Sequence, residues 1–326
     1  VSAKIRWGLW GTSAISASFA EALRGLPGAE LAAVGSRSEA RALRFAAEHG
    51  VGRAHGSRDA LLSDPELDVI YVASPNAAHE EDVRAAIGAK KAVLCEKPLC
   101  TSAAAAEHLA SEARAAGVFL MEAMWTRFFP LIAELDGLLA RGEIGELGLL
   151  EADFGFAGDR IAEPRIFDPR YGGGAILDVG VYPLWLAHHL LGPPRRVQAG
   201  GRVVPGGVEE NVAILLEHER GAISVLSASI AVATASTAVL GGSRGHVRLE
   251  SPWWRPRVAV LCQEGAADRR IDAPFIGNGY AHEALEVMGC LARGERESAR
   301  HPLAVSIEVL RTADRARSLL GVASKV

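Results

Sequence analysis

A glutamate and a lysine stand side by side before a proline in the stretch LCEKPLC, residues 94–100. The apolar run AVLC leads into them and reads as a buried strand, so Glu96 and Lys97 fall at a strand's carboxyl end. Three readings are open there: a redox pair of Cys95 and Cys100, a structural ion pair, or a catalytic lysine. A second constellation lies in GGGAILDVGVYPLWLAHHL, where Asp178 and Tyr182 are four residues apart and in a helix share one face. A phenol beside an ammonium has a lowered pKa and can pass a proton to or from an alcohol. Taken alone, Tyr182 reads equally well as a core residue and Asp178 as the cap of a helix turn.

Phosphate recognition is the other chemistry the spacing offers. The stretch GLWGTSAIS, from Gly8 to Ser16, joins a strand to a helix where a dinucleotide-binding turn would read GxGxxG. Gly11 supplies the tight turn, and Thr12, Ser13, Ala14 and Ile15 open the helix whose N-terminus would face a pyrophosphate. Small Ser13 and Ser16 replace the later glycines and still permit close approach. An ordinary β–α turn has the same pattern, so context must separate the two. At the end of the second strand, where a carboxylate would chelate the ribose hydroxyls of NAD, the chain has Ser36 and Arg37. A hydroxyl and a guanidinium there suit the 2′-phosphate of NADP, with a plain surface cation as the other reading of Arg37.

These residues need elements to hold them. The first 120 or so residues alternate near-continuous apolar runs (IRWGLWG, ELAAVGS, VIYVASP, AVLCEKP, VFLMEAM) with helix-like segments spaced as Ile15, Phe19, Leu23 and Leu26. That alternation predicts a doubly wound parallel α/β sheet covered on both faces. After Trp125 the pattern changes. A helix (FFPLIAELDGLLARG), a Gly/Pro-containing loop and a helix from about Gly174 to Leu191 precede strand after strand from Arg195 to Ala273. Two helices close the chain, so the second half reads as α+β with a large, mostly antiparallel sheet. The division expected is residues 1–124 for the first domain and 125–326 for the second, its C-terminal helix packing back on the first.

Composition narrows the function classes. The chain has 326 residues, 49% apolar and 23% charged, with a net charge of −4, which is globular and offers no general attraction for nucleic acid or anionic membrane. Four cysteines, Cys95, Cys100, Cys262 and Cys290, form no CxxC pair and no zinc spacing. No metal is expected. No run of about 18 or more uncharged apolar residues occurs. With no apolar signal region in VSAKIRWG, a cytoplasmic protein is expected.

The EKP stretch, the stretch SPNAAH with Ser74, Asn76 and His79, and the run GGGAILDVGVY, in this order, make the chain resemble the glucose–fructose oxidoreductase / inositol dehydrogenase (Gfo/Idh/MocA) family over essentially its whole length. MEAMWTRFFP and GGGAILDVGVY look most like the branch of dimeric dihydrodiol dehydrogenases and NADP-dependent D-xylose dehydrogenases. The resemblance implies a Rossmann domain that binds NADP, with NAD the alternative. It implies that Lys97 is the catalytic lysine, that Glu96 and Lys97 contact the nicotinamide ribose, and that the peptide before Pro98 is cis. It places Tyr182 at the last motif position, where other members carry His, and Asp178 at the aspartate that helps set up the substrate site. It also implies a homodimer or higher homo-oligomer through the C-terminal sheet.

The reaction expected is reversible hydride transfer between NADP(H) and a sugar, sugar derivative or cyclic diol. Tyr182 exchanges the proton and Lys97 lowers its pKa. His79, Trp125 and Arg165 are candidate cofactor contacts, each with a structural alternative: helix cap, core ring and solvated loop arginine. Trp10, Arg127, Phe156 and His188 are further candidates near the crevice, and the pair His188 and His189 lies on different helix faces. A reductase of ketosugars working in the opposite direction and a non-catalytic NADP- or sugar-sensing protein are the rivals.

Overall fold

The computed structural model describes residues 4–205 and 207–322. The chain divides into two compact units. One takes in the chain through Cys100, then Ala104–Trp125 and Ile276–Leu303; the other takes in Thr101–Ala103, Thr126–Phe275 and the chain from Ala304 on.

In the first unit six strands, β1 (Ile5–Trp10), β2 (Ala29–Gly35), β3 (Arg53–His55), β4 (Val69–Val72), β5 (Ala92–Glu96) and β6 (Leu120–Ala123), form one sheet in the order β3-β2-β1-β4-β5-β6. Every pairing in it is parallel. Crossovers run through α1 (Ala14–Arg24), α2 (Glu39–His49), α3 (Arg58–Leu62), α4 (His79–Gly88) and α5 (Ala103–Ala116). Strands β4 and β5 are buried at every residue, which is why their sequences show no polar alternation. The short edge strand β3 breaks the expected count, because RAH is too brief and too polar to announce itself as a strand. The strand order reverses between β1 and β4, the switch point where open α/β sheets bind ligands beyond the carboxyl ends of their strands.

The second unit is built on eight strands: β7 (Leu147–Gly155), β8 (Arg196–Val203), β9 (Glu209–Glu217), β10 (Ile223–Ser229), β11 (Ala238–Gly242), β12 (Gly245–Leu249), β13 (Val258–Gln263) and β14 (Arg269–Asp272). Their order is β14-β13-β12-β11-β7-β10-β9-β8, and only β7 and β10 run parallel. One face, with Leu150, Ala152, Ile214, Leu226 and Ala228, is buried. Helix α6 (Pro130–Ala140) precedes the sheet, and α7 (Val181–Leu191) packs against β7 and β10. Helix α7 is apolar nearly all round and buried from Val181 through His188.

Two helices then end the chain, α8 (Ala281–Ala292) and α9 (Leu303–Leu319). Here the boundary differs from the expected one. Residues 276–303, α8 included, group with the first unit, while α9 beyond Leu303 groups with the second. The tie is specific: Leu120 of β6 donates its N–H to Arg296 O, and Asn278 donates to Ser18 O. An amphipathic helix does not advertise which sheet it covers. A second difference concerns the helix expected from Gly174. Residues Ile176–Gly180 form a π-helical turn before α7 begins, so Asp178 and Tyr182 do not keep the simple i, i+4 relation of an α-helix.

Candidate active site

Four of the expected positions fall at the carboxyl ends of neighbouring strands in the first unit. Gly11 follows β1, Ser36 follows β2, Ser74 lies just past β4, and Glu96 ends β5. Gly11 has φ 123°, and a Cβ there would sit 2.7 Å from Ala73 O, so only glycine fits the turn. Ser13 caps α1 by accepting the Ser16 N–H at 3.2 Å, leaving Ala14 and Ile15 in the first turn. Thr12 Oγ1 and Ser74 Oγ are buried and have no hydrogen-bond partner among the described residues. Orphaned hydroxyls flanking a helix N-terminus are what a dinucleotide's phosphates would satisfy. Ser36 is buried, its hydroxyl accepting the Ser38 N–H, while Arg37 is exposed and makes no ion pair among the described residues. These residues fit an NADP-type cofactor.

The EKP segment is set more firmly. The Lys97–Pro98 peptide is cis. Glu96 is buried and accepts the Tyr71 hydroxyl and, at 3.2 Å, the Lys97 backbone N–H. Burial pushes the Glu96 carboxyl above its ordinary pKa, opposed by the neighbouring Lys97 charge and the Tyr71 hydrogen bond. Tyr71 is held in turn by Phe19, stacked on it at 3.9 Å. His79 is fully buried, with Nδ1 2.8 Å from Pro98 O and Nε2 2.8 Å from Ser74 O. It braces the loops after β4 and β5 against each other. Burial lowers its pKa, and a neutral ring has one N–H, so it donates to one carbonyl at a time. Asn76 is buried in the 3₁₀ turn just before α4, and Trp125 is buried with its ring stacked on Tyr280 at 4.4 Å. All four cysteines are free, and Cys95 and Cys100 are buried with thiols pushed up by desolvation, which leaves no redox pair here.

In the second unit the glycine run 172–174 positions the other constellation. Gly174 has φ 119°, and a Cβ there would lie 2.5 Å from Glu209 Oε1; at Gly173 it would meet Ile166 O at 2.5 Å. The run therefore lets the chain slide under buried Glu209, whose Oε1 accepts the Ile176 N–H at 3.2 Å. Asp178 accepts an ion pair from Arg165 at 3.7 Å, and its N–H bonds Gly174 O. Arg165 is half exposed, so this contact adds little stability. Tyr182 is buried beside Phe154, ring centroids 5.4 Å apart, and Trp254 at 6.2 Å; Phe154 and Trp254 stack at 4.7 Å.

Phe154 and Trp254 escaped the sequence reading, which picked Phe156, just past the end of β7, instead. A ring on a strand carries no signal of what it faces; alternation about Phe154 was the one clue. Of the other candidates, Arg127 pairs with Asp136 at 3.1 Å, His189 bonds Asp136, His188 bonds Thr312, and Trp10 is core. Among the described residues no three His, Cys, Asp or Glu side chains are grouped to hold a metal ion.

Comparison with known proteins bears on both units. Residues 5–124 match the profile of GFO_IDH_MocA, an oxidoreductase family with an NAD-binding Rossmann fold, and residues 132–267 match the GFO/IDH/MocA C-terminal domain. The chain is 34% identical over 330 residues to trans-1,2-dihydrobenzene-1,2-diol dehydrogenase of Homo sapiens, covering 98% of this chain and 97% of that one. The Danio rerio enzyme of the same name is 35% identical over 327 residues, with the same coverage. Among solved structures, a 3-ketoreductase from Actinomadura kijaniata with NADP and TDP-benzene aligns at a TM-score of 0.84 and 28% identity over 98% of each chain. That enzyme is also known with a lysine replaced by alanine and with a tyrosine replaced by phenylalanine.

Proposed function

The chain belongs to the Gfo/Idh/MocA oxidoreductase family, and from that footing we propose that it is an NAD(P)-dependent dehydrogenase of a sugar, sugar derivative or cyclic diol. The observation that carries the reading is the buried Glu96 carboxylate holding Lys97 at the carboxyl end of β5, beside the switch point of the parallel sheet. NADP(H) when bound supplies or accepts the hydride. Thr12, Ser74 and the first turn of α1 would hold its phosphates, and Ser36 with Arg37 the 2′-phosphate. Lys97 hydrogen-bonds the reacting oxygen, and Tyr182 exchanges the proton of the alcohol. Asp178, paired with Arg165, supports the substrate. The Phe154–Trp254 ring pair beside Tyr182 gives an apolar wall against which a cyclic substrate would stack. The dihydrodiol dehydrogenases and the NADP-bound ketoreductase support the same class of substrate and cofactor.

The test is a panel of aldoses, anhydro-sugars and trans-1,2-dihydrobenzene-1,2-diol followed by NADPH absorbance, run on wild type, Lys97→Met, Tyr182→Phe and the double variant. Each single variant should lose about 10²–10⁴ in kcat, the usual contribution of a proton-transfer group, with NADPH affinity retained. The double variant should lose far less than the product, because groups serving one step are not additive. Tight NADPH binding with turnover on nothing would favour a sensing role, and a Lys97→Met enzyme with most of its turnover would remove Lys97 from the chemistry.

A further inference from the structure

Glu283 lies in the first turn of α8, fully buried, with neither Oε1 nor Oε2 within reach of a hydrogen-bond partner among the described residues. A buried carboxyl with both oxygens orphaned is rare enough to require a reason. Its surroundings supply one. Tyr280, three residues earlier, sets its ring edge-on to Phe19 at 6.4 Å, and Phe19 stacks on Tyr71, whose hydroxyl donates to Glu96. The start of α8 is thus seated against the Tyr71–Glu96 pair at the end of β5. The groups that bear on this interior are Glu96, Tyr71, Tyr280 and, next to Glu96, Lys97 and Glu122 of β6, whose own carboxyl accepts the Leu99 N–H and bonds His301.

Two carboxyls in one dry interior cannot both ionise without close repulsion. Glu96 has what a carboxylate needs: the Tyr71 hydroxyl, the Lys97 N–H and the Lys97 charge. Glu283 has none of these. The N-terminal end of α8 favours an anion, but that dipole is weaker than the cost of burying an unpaired charge. Burial and the Glu96 charge both push the Glu283 carboxyl well above its ordinary pKa, in line with that asymmetry.

We infer that Glu283 is a positioning residue that carries the one proton of a Glu96–Glu283 pair, so that a single negative charge, on Glu96, faces Lys97. Its neutrality fixes the charge balance behind the lysine, and its ionisation at high pH would place a second anion there and disturb the Tyr71–Glu96–Lys97 arrangement. The inference rests on the proposed role of Lys97 only for its kinetic consequence; the protonation itself is independent of it.

Infrared spectra of the wild-type protein at neutral pH should contain the carbonyl stretch of a buried carboxylic acid, shifting in D₂O and moving down in protein labelled with carboxyl-¹³C glutamate. The band should be missing from Glu283→Gln. Its absence from wild type, or a wild-type minus Glu283→Gln difference spectrum without the band, would overturn the assignment; the buried Glu209 carboxyl is common to both proteins and cancels in the difference, and Glu283→Asp, which keeps a carboxyl, should shift the band if Glu283→Gln does not fold. In kcat/KM for trans-1,2-dihydrobenzene-1,2-diol with NADP, the alkaline limb should move up by about one pH unit in Glu283→Gln, since glutamine cannot ionise. Superimposable profiles would overturn the positioning role, because a merely structural residue leaves the limb in place. Lys97→Met tests the underlying reading separately: a fully active Lys97→Met with the infrared band intact would fail that reading and keep the protonation.

Discussion

At the scale of single residues, the side chain proposed to discriminate between NADP and NAD is Arg37. It is exposed just beyond the end of β2, where a carboxylate would select NAD, and no carboxylate within the described residues occupies its guanidinium. Hydrogen bonds to a charged group contribute about 1.5–3 kcal/mol each. Arg37→Ala should therefore weaken NADPH binding roughly 10- to 100-fold while leaving NADH within about twofold, as read by titrating cofactor fluorescence. Equal loss for both cofactors would show that Arg37 does not read the 2′-phosphate. The strand-end positions of Arg37 and Lys97 were legible in the sequence for one reason: both sit just where an apolar run stops, and strand ends are where such sheets bind. Glu283 was not legible. In AHEALEVMGC a glutamate among alanines reads as the solvated face of a helix, and only the packing of α8 onto the first unit buries it.

Elements set how tightly those side chains are held, and the glycine run before Asp178 is the clearest case. Gly174 combines a φ of 119° with a missing Cβ that would overlap the Glu209 carboxylate at 2.5 Å. Alanine there is strained in its backbone and also displaces a buried carboxyl already pushed above its ordinary pKa by burial. Gly174→Ala should lower unfolding stability by about 3 kcal/mol, by the mechanisms behind the largest single-site losses. Gly50→Ala is the control, since Gly50 is also left-handed (φ 65°) but nothing lies within 4 Å of the added Cβ. It should cost about 1 kcal/mol. Urea midpoints of the two variants measure the difference, and equal midpoints would mean the glycine run is not closed over Glu209. The strands were readable because period-two and all-apolar patterns survive in one sequence. The π turn at Ile176–Gly180 was not, because a one-residue widening leaves the apolar spacing of AILDVGVYPLWL almost unchanged.

For the molecule as a whole, the outer face of the eight-stranded sheet is the feature that its own core does not explain. Alternation along β10 buries Ser224, Leu226 and Ala228 and leaves Ile223 at 39% and Val225 at 46% exposure; Leu149, paired with Ile223 across the parallel β7–β10 ladder, is 38% exposed. These neighbouring apolar side chains, with exposed Glu151 opposite Val225, make a sheet surface suited to a partner. We propose that a second copy covers it, face on face, as sheets pack at about 10 Å with interdigitating side chains. Sedimentation equilibrium at micromolar protein should then give a mass twice the 34.4 kDa of one chain. Val225→Glu puts a second carboxylate beside exposed Glu151, its partner on β7, where pairing would bury both, and should raise the dissociation constant by at least about 100-fold, equivalent to ~3 kcal/mol. Leu43→Glu provides the contrast: Leu43 is 56% exposed on α2, away from any sheet face, and an isolated surface leucine has no partner to lose. It should leave the mass unchanged. A wild-type chain that sediments as a monomer, or a Val225→Glu variant that stays paired, would move the interface off this sheet.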